Sequence, residues 1–220
     1  AVREAAECLT RGGLLILPTD TVYGLAADPR VPGAEAGLYE AKRRPAEKPI
    51  PRLAYDARQV SGSGAALGGI GGRLAARYWP GPLTLVLDVP GGTCGFRVPD
   101  HGACLAVLRA VGTPLAVTSA NLSGAPAARS AQDAVRQLGE QVELALDAGP
   151  APGGVPSSVV RGKQRSDSVT IPVGTTLREA EMQLIQATLN HTRGEKETAA
   201  NILGIASRTI YRKMKEPEEE

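Results

Sequence analysis

Several short stretches of the chain carry residue types that could hold or transform a charged small molecule. Pro18-Thr19-Asp20-Thr21-Val22-Tyr23-Gly24-Leu25 sets hydroxyls, a carboxylate and a glycine directly after the apolar run Gly13–Leu17. Polar, glycine-containing loops at strand ends are where α/β folds place ligands. A turn that merely starts the next element is an equal alternative. Lys42, Arg43, Arg44 and Lys48 put four cations within seven residues, interrupted by Pro45. Guanidinium forks match phosphate oxygens, which suits a phosphate clamp. Cations at a helix C-terminus also offset the macrodipole, and composition does not separate the two. Arg97-Val98-Pro99-Asp100 reads as a basic residue on a short strand beside a rigid turn, and Thr118-Ser119-Ala120-Asn121-Leu122-Ser123-Gly124 as strand, polar loop and glycine. Ser157-Ser158 opens a further strand after a Gly/Pro loop. No Walker A run occurs and no G-x-G-x-x-G follows a strand, so any nucleotide site here is not one of the two commonest kinds.

A second chemistry lies near the C-terminus. Arg208, Arg212, Lys213 and Lys215 give the last helical stretch a charge of +4, although residues 176–220 are near neutral overall. Basic side chains on a short helix after a tight turn can meet DNA phosphates while polar neighbours reach base edges. A solvated basic helix in a small bundle is the plainer alternative.

These motifs need elements to position them. The 220 residues allow one large domain with a small appendage. Hydrophobic residues at 42% and charged residues at 22% are globular composition, not that of a disordered or fibrous chain. The longest apolar run, Leu14–Leu17, is far below the roughly 20 residues of a membrane span. The N-terminus opens with Arg3, Glu4 and Glu7 and lacks a signal-peptide core, so a cytoplasmic location is expected. A net charge of +2 argues neither for nor against nucleic acid. Three cysteines without C-x-x-C spacing and two histidines indicate neither a disulfide framework nor a metal site. No tightly bound cofactor is expected.

Strand and helix signals alternate over the first ~160 residues, which predicts an α/β domain. Strands are expected at Gly13–Leu17, Leu83–Val89, Pro114–Thr118, Val142–Leu146 and Ser157–Val160. Helices are expected at Ala34–Arg43, Leu105–Val111 and Ala131–Leu138, the last capped by Ser130. The glycine-rich stretch Ser61–Gly72 reads as loop into helix. Arg161–Ser168 has no apolar residue and reads as linker. The expected division is a domain at 1–162, a linker at 163–175 and a helical module at 176–220. In that module Thr176-Leu177-Arg178-Glu179 is a capping box. Gly194 and Gly204 stand as helix stops, with helices expected near Glu195–Leu203 and Ser207–Lys215.

Taken in order, PTDTVYGL, KRRP…KP, WPGPLTLVL (Trp79–Leu87), RVPDH and TSANLSG resemble the YrdC-type threonylcarbamoyl-adenylate synthases over residues 1–160. The resemblance implies a twisted mixed sheet with flanking helices and a large basic cleft. It also implies that L-threonine, bicarbonate or CO2, and ATP carried by Mg2+ condense to threonylcarbamoyl-adenylate and pyrophosphate. The product would feed the tRNA-modification machinery. Carried over, Thr21, Arg97, Ser119 and Ser157 would contact threonine. Lys42 and Arg44 would be catalytic at the phosphates, and Arg44, Lys48, Thr93 and Asn121 would lie toward ATP. Negative charge that builds up when a carbamate attacks the α-phosphate is stabilised by fixed cations aimed at it.

Ile171–Glu181, Ala199–Ile205 and Ser207–Lys213 resemble, over about residues 171–216, the Fis-type helix-turn-helix that ends NtrC-like activators. That likeness implies homodimerisation through residues 177–193 and DNA contact by Arg208, Thr209, Arg212 and Lys213, with Lys215 on phosphates. Three positions depart from the synthase pattern. Arg161 stands where an acidic residue often ends the last strand. Ile171-Pro172-Val173-Gly174 replaces an Arg-Pro-Gly turn, with Arg165 a candidate substitute. Leu53 stands where some members place a polar group near threonine. An intact basic cluster favours a synthase with a DNA-binding tail. The departures leave two other readings open: a DNA-binding regulator that senses threonine or nucleotide, or a double-stranded RNA-binding protein.

Overall fold

The apolar run at 13–17 becomes strand β1, Leu15–Leu17, every residue of which is buried. Alternate side chains of a strand point to opposite faces. Ile16 therefore enters one hydrophobic layer and Leu15 and Leu17 another. Strand β2, Gly24–Ala27, lies antiparallel to β1 and divides likewise, with Leu25 and Ala27 on the first face and Ala26 on the second. Burial on both faces explains why these strands read as continuous apolar runs.

The computed structural model describes residues 1–153, 157–161, 174–192 and 194–214. The chain divides into two compact units, Ala1–Gly162 and Lys163–Glu220. Residues 163–173 of the expected linker at 163–175, with Arg165 and the Ile171-Pro172-Val173 departure among them, lie outside the described residues, as does Lys215.

In the first unit the remaining strands are β3 (Arg52–Leu53), β4 (Leu83–Val89), β5 (Gly92–Arg97), β6 (Leu115–Ser119), β7 (Leu144–Ala145) and β8 (Ser158–Arg161). They form one mixed sheet in the order β7-β1-β2-β6-β3-β5-β4-β8. Parallel pairs are β1–β7, β3–β5 and β4–β8. Helices α2 (Ala34–Lys42) and α6 (Ala131–Leu138) cover the first face of β1 and β2. Helices α1 (Val2–Thr10) and α5 (Gly102–Val111) cover the second. Helices α3 (Ala57–Gly62) and α4 (Gly69–Tyr78) contribute to a third apolar cluster with Leu85, Leu87 and Phe96.

Local signals place several boundaries. The Ser130 hydroxyl accepts from the Asp133 amide at 3.1 Å and starts α6, as the sequence predicts. The stretch 61–72 spans the end of α3, a loop and the start of α4. Strands β2 and β3 carry no distinct sequence signal: β2 begins within the end of the PTDTVYGL motif and β3 has only two residues. Helix α1 is not among the sequence expectations, although its buried Ala5, Cys8 and Leu9 recur at helical spacing.

The second unit holds α7 (Leu177–His191), α8 (Lys196–Leu203) and α9 (Ser207–Lys213). The capping box forms: the Glu179 amide donates to the Thr176 hydroxyl at 3.3 Å, and the Thr176 amide donates to the Glu179 carboxylate at 2.9 Å. Ile185, Leu189, Ala199, Ala200 and Ile210 make its core. Gly204, at φ 66, ends α8 in the left-handed conformation that glycine adopts without steric cost. No helix among the described residues is long and apolar enough to cross a membrane.

Candidate functional site

Alternation along the β4–β5 hairpin separates a core face from a cleft face. Leu85, Leu87, Phe96 and Val98 join the third apolar cluster. Thr84, Val86, Gly95 and Arg97 line a cleft of about 380 Å3. The PTDT loop, the segment Pro49–Pro51, the end of β6 and the start of β8 complete its walls.

Arg97 is the charged group at its floor and is only 5% exposed. Its Nε donates to the Gly81 carbonyl at 2.9 Å and its Nη1 to the Thr21 hydroxyl at 2.9 Å. Its Nη2 donates to the Asp20 carboxylate, forming an ion pair in which Arg97 is buried and Asp20 partly so. Burial pulls the Arg97 guanidinium below its ordinary range, while Asp20 opposes that shift. Thr21 is itself held by Thr19, whose hydroxyl lies 3.0 Å away and donates to the Val22 carbonyl at 2.6 Å. Gly153 packs on the same loop. A Cβ there would lie 2.7 Å from the Asp20 carbonyl oxygen and 3.1 Å from Thr21 Cα, so only glycine fits.

The basic cluster divides at the end of α2. Arg43 is the C-cap with φ 50 and ψ 44, a left-handed conformation that costs a non-glycine residue roughly 1–2 kcal/mol. The chain reverses there and the neighbouring cations part. Arg44 reaches the cleft, its Nε on the Lys48 carbonyl at 3.0 Å and its Nη2 on the Pro49 carbonyl at 3.1 Å. Lys42 is 1% exposed and stays behind the cleft wall. Its ammonium donates to the backbone carbonyls of Ser119 and Asn121. Burial first, then the nearby Arg44 charge, lowers Lys42 to about 8. Lys48 is exposed and does not line the cleft.

Ser119 and Thr118 line the opposite wall. Asn121 does not. Its amide nitrogen donates to the carbonyls of Leu122 at 2.8 Å and Ala125 at 2.7 Å, which shapes the turn after β6. The Ser157 and Thr84 hydroxyls meet at 2.9 Å across the β8–β4 pair.

The fold thus gathers Thr21, Arg44, Thr93, Arg97, Ser119 and Ser157 around one cavity and leaves Lys42, Lys48 and Asn121 outside its lining. Thr19, Thr84 and Thr118 also line it, although the sequence alone gives them no role. Their signal was present in the motifs PTDT, GPLTLVL and TSAN, where one hydroxyl could not be ranked above another. Leu53 lines the cleft beside Ile50 and Val117. Among the described residues there is no cluster of three or more His, Cys, Asp or Glu side chains able to hold a metal.

In the second unit, Arg208 and Arg212 lie exposed on α9, one turn apart, and Thr209 is half-buried. Lys213 differs: its ammonium donates to the Glu181 carboxylate of α7 at 2.6 Å. Lys196 of α8 stacks over the Tyr211 ring at 3.9 Å, a cation–π contact that joins α8 to α9.

Comparison with known proteins gives two family matches. A Sua5–YciO–YrdC model, described as telomere recombination, matches residues 7–171. A model described as bacterial regulatory protein, Fis family, matches residues 176–216. A threonylcarbamoyl-AMP synthase of Bacillus subtilis is 33% identical over 82% of this chain and 55% of its own length. A putative threonylcarbamoyl-AMP synthase of Mycobacterium tuberculosis is 36% identical over 71% of this chain and 76% of its own length. The crystal structure of Pyrococcus abyssi Sua5 complexed with L-threonine superposes with a TM-score of 0.69 at 34% identity, covering 73% of this chain and 50% of that one. The chain spans just over half the length of the Bacillus and Pyrococcus relatives.

Proposed function

Because the chain belongs to the Sua5–YciO–YrdC family, we propose that its first unit makes L-threonylcarbamoyl-adenylate from L-threonine, bicarbonate or CO2, and ATP, releasing pyrophosphate. The observation that carries this reading is the pairing of two arginines on one cavity. Arg97 sits among the hydroxyls of Thr21, Ser119 and Ser157, and Arg44 is fixed at the cavity wall by two carbonyls. One guanidinium suits a carboxylate and the other a phosphate.

That arrangement supports the following steps. The threonine carboxylate binds Arg97, and the hydroxyl-bearing walls take its polar groups. The amine attacks CO2 and loses a proton to give a carbamate. A carbamate oxygen then attacks the α-phosphorus, and the bond from that phosphorus to the β-phosphate bridging oxygen breaks. Pyrophosphate leaves with the electron pair. Arg44 stabilises charge on the phosphate oxygens. Mg2+ enters with ATP as part of the substrate and needs few protein ligands. Lys42 serves by holding the Ser119–Asn121 turn, and Lys48 and Asn121 by positioning Arg44 and that turn. The product is a mixed anhydride suited to modifying tRNA downstream.

The second unit binds DNA through α9, with Arg208, Thr209 and Arg212 as the contacts. The Fis-type match favours this activity, and α7 is the dimerising helix. The same match keeps a second reading alive, a regulator in which the first unit senses threonine or nucleotide.

Pyrophosphate release by the full chain tests the choice. Release that requires ATP, L-threonine and bicarbonate together is expected. Absence of release, with threonine or ATP still bound in calorimetry, would overturn the synthase reading in favour of the sensor.

A further inference from the structure

The Arg97 guanidinium has five N–H donors, and the Gly81 carbonyl, Thr21 hydroxyl and Asp20 carboxylate take one each. Arg97 lines the cleft but Asp20 does not. Three of the five donors are thus engaged, the carboxylate lies outside the cavity lining, and Arg97 itself stays on that lining. Both partners are nearly buried, with side-chain exposures of 6% for Arg97 and 13% for Asp20. A cation left unpaired at that depth would be strongly destabilising. A carboxylate close to the fork necessarily repels a second carboxylate that arrives from the cleft.

We propose that Asp20 is a positioning residue that sets the affinity of the amino-acid subsite: it neutralises Arg97 while the cleft is empty and competes electrostatically with the substrate carboxylate when the cleft fills. The inference rests on the reading that Arg97 receives the carboxylate of L-threonine. With Asp20 in place the subsite folds without ligand and exchanges its amino acid readily. Without its charge, the arginine depends on the ligand for compensation.

Asp20→Asn keeps an oxygen that can accept from Nη2 and removes the charge. A charge removed roughly 6 Å from the bound carboxylate, at an effective dielectric near 20, corresponds to about a hundredfold in affinity before rearrangement and screening. About tenfold tighter binding of L-threonine is therefore expected by calorimetry. The same variant should show a lower melting temperature than wild type, and a larger upward shift on addition of L-threonine. L-Threoninol, which lacks the carboxylate but keeps the ammonium, should bind the variant no more tightly than it binds wild type.

The wild-type titration separates the two layers of the argument. If wild type binds L-threoninol as well as L-threonine, the carboxylate reading of Arg97 fails. If wild type prefers L-threonine and folded Asp20→Asn binds it no more tightly, the Asp20 inference fails alone. Should Asp20→Asn not fold, Asp20→Glu takes the same titration. It keeps the charge and extends it toward the fork, so weaker L-threonine binding is expected, with L-threoninol binding not weakened. Unaltered L-threonine affinity in that variant would overturn the inference.

Discussion

Lys42 at the end of α2 and Asn121 beyond β6 are separated by 79 positions, yet the Lys42 ammonium donates to the Asn121 backbone carbonyl. The link runs both ways, because the Lys42 carbonyl accepts from the Ser123 amide at 2.9 Å. One residue thereby clamps the turn that follows Ser119 on the cleft wall.

Replacing Lys42 with methionine leaves the carbonyls of Ser119 and Asn121 without their shared donor. A loss of about 2 kcal/mol in urea unfolding at pH 7 is expected: the Asn121 carbonyl loses its ammonium donor at a cost of about 1–3 kcal/mol, the Ser119 carbonyl keeps its bond from the Asn121 amide, and removal of the buried charge offsets part. The pH dependence has a definite direction. With its folded pKa lowered to about 8, Lys42 releases its proton in the folded state before the unfolded chain does. The unfolded state then binds more protons, so stability contributed by Lys42 grows as pH rises from about 8 toward the ordinary lysine value. Wild type should gain on the order of 2 kcal/mol on Lys42→Met between pH 7 and pH 10. A constant difference between the two proteins would show that this ammonium is not depressed.

Arg44 differs from its neighbours in that its guanidinium faces the cleft while anchored by Lys48 and Pro49 carbonyls. Arg44→Ala should reduce pyrophosphate release by roughly a hundredfold, comparable to loss of one fixed electrostatic donor, with the urea midpoint nearly unchanged. Arg44→Lys should recover little of it, because an ammonium has no planar fork to divide between backbone and phosphate. Full recovery by lysine would mean that only net charge matters at this position.

Gly153→Ala probes the packing that fixes the PTDT loop. The new Cβ would meet backbone atoms of Asp20 and Thr21, which cannot swing away as a side-chain tip could. A destabilisation of about 1–3 kcal/mol is expected, together with a raised KM for threonine and a nearly unchanged KM for ATP. Equal effects on both substrates would place the disturbance beyond the Arg97 side of the cleft.

In the helical unit, Arg208 and Lys213 should separate cleanly. Arg208→Ala should weaken DNA binding and reduce the salt slope by about one, measured by fluorescence anisotropy between low and moderate salt. Lys213→Ala breaks the 2.6 Å pair with Glu181. It should lower the thermal stability of the unit by up to about 1 kcal/mol, and Glu181→Gln should do the same. A change of slope in Lys213→Ala without loss of stability would instead assign Lys213 to a phosphate.

Whatever depended on neighbours in sequence was already decided by the sequence. The Ser130 cap, the Thr176–Glu179 capping box, the Gly204 stop and the apolar strands at 15–17 and 83–89 follow from interactions a few residues long. Of the residues singled out by the motifs and by the family resemblance, Thr21, Arg44, Thr93, Arg97, Ser119 and Ser157 line the cleft.

What needed the tertiary structure was direction. Lys42, Arg44 and Lys48 are equivalent cations in the sequence, but the left-handed turn at Arg43 sends Arg44 to the cleft and leaves Lys42 bound to a strand end far along the chain. Thr84 could not be told from any strand hydroxyl until β4 paired with β8 and brought it to Ser157. Asp20 read as one more polar loop residue until β5 carried Arg97 against it. Local sequence fixes which elements form because their hydrogen bonds are short-range. Which polar group faces a ligand, and which is spent holding another, depends on contacts between strands and loops distant in sequence, and only the folded chain makes them.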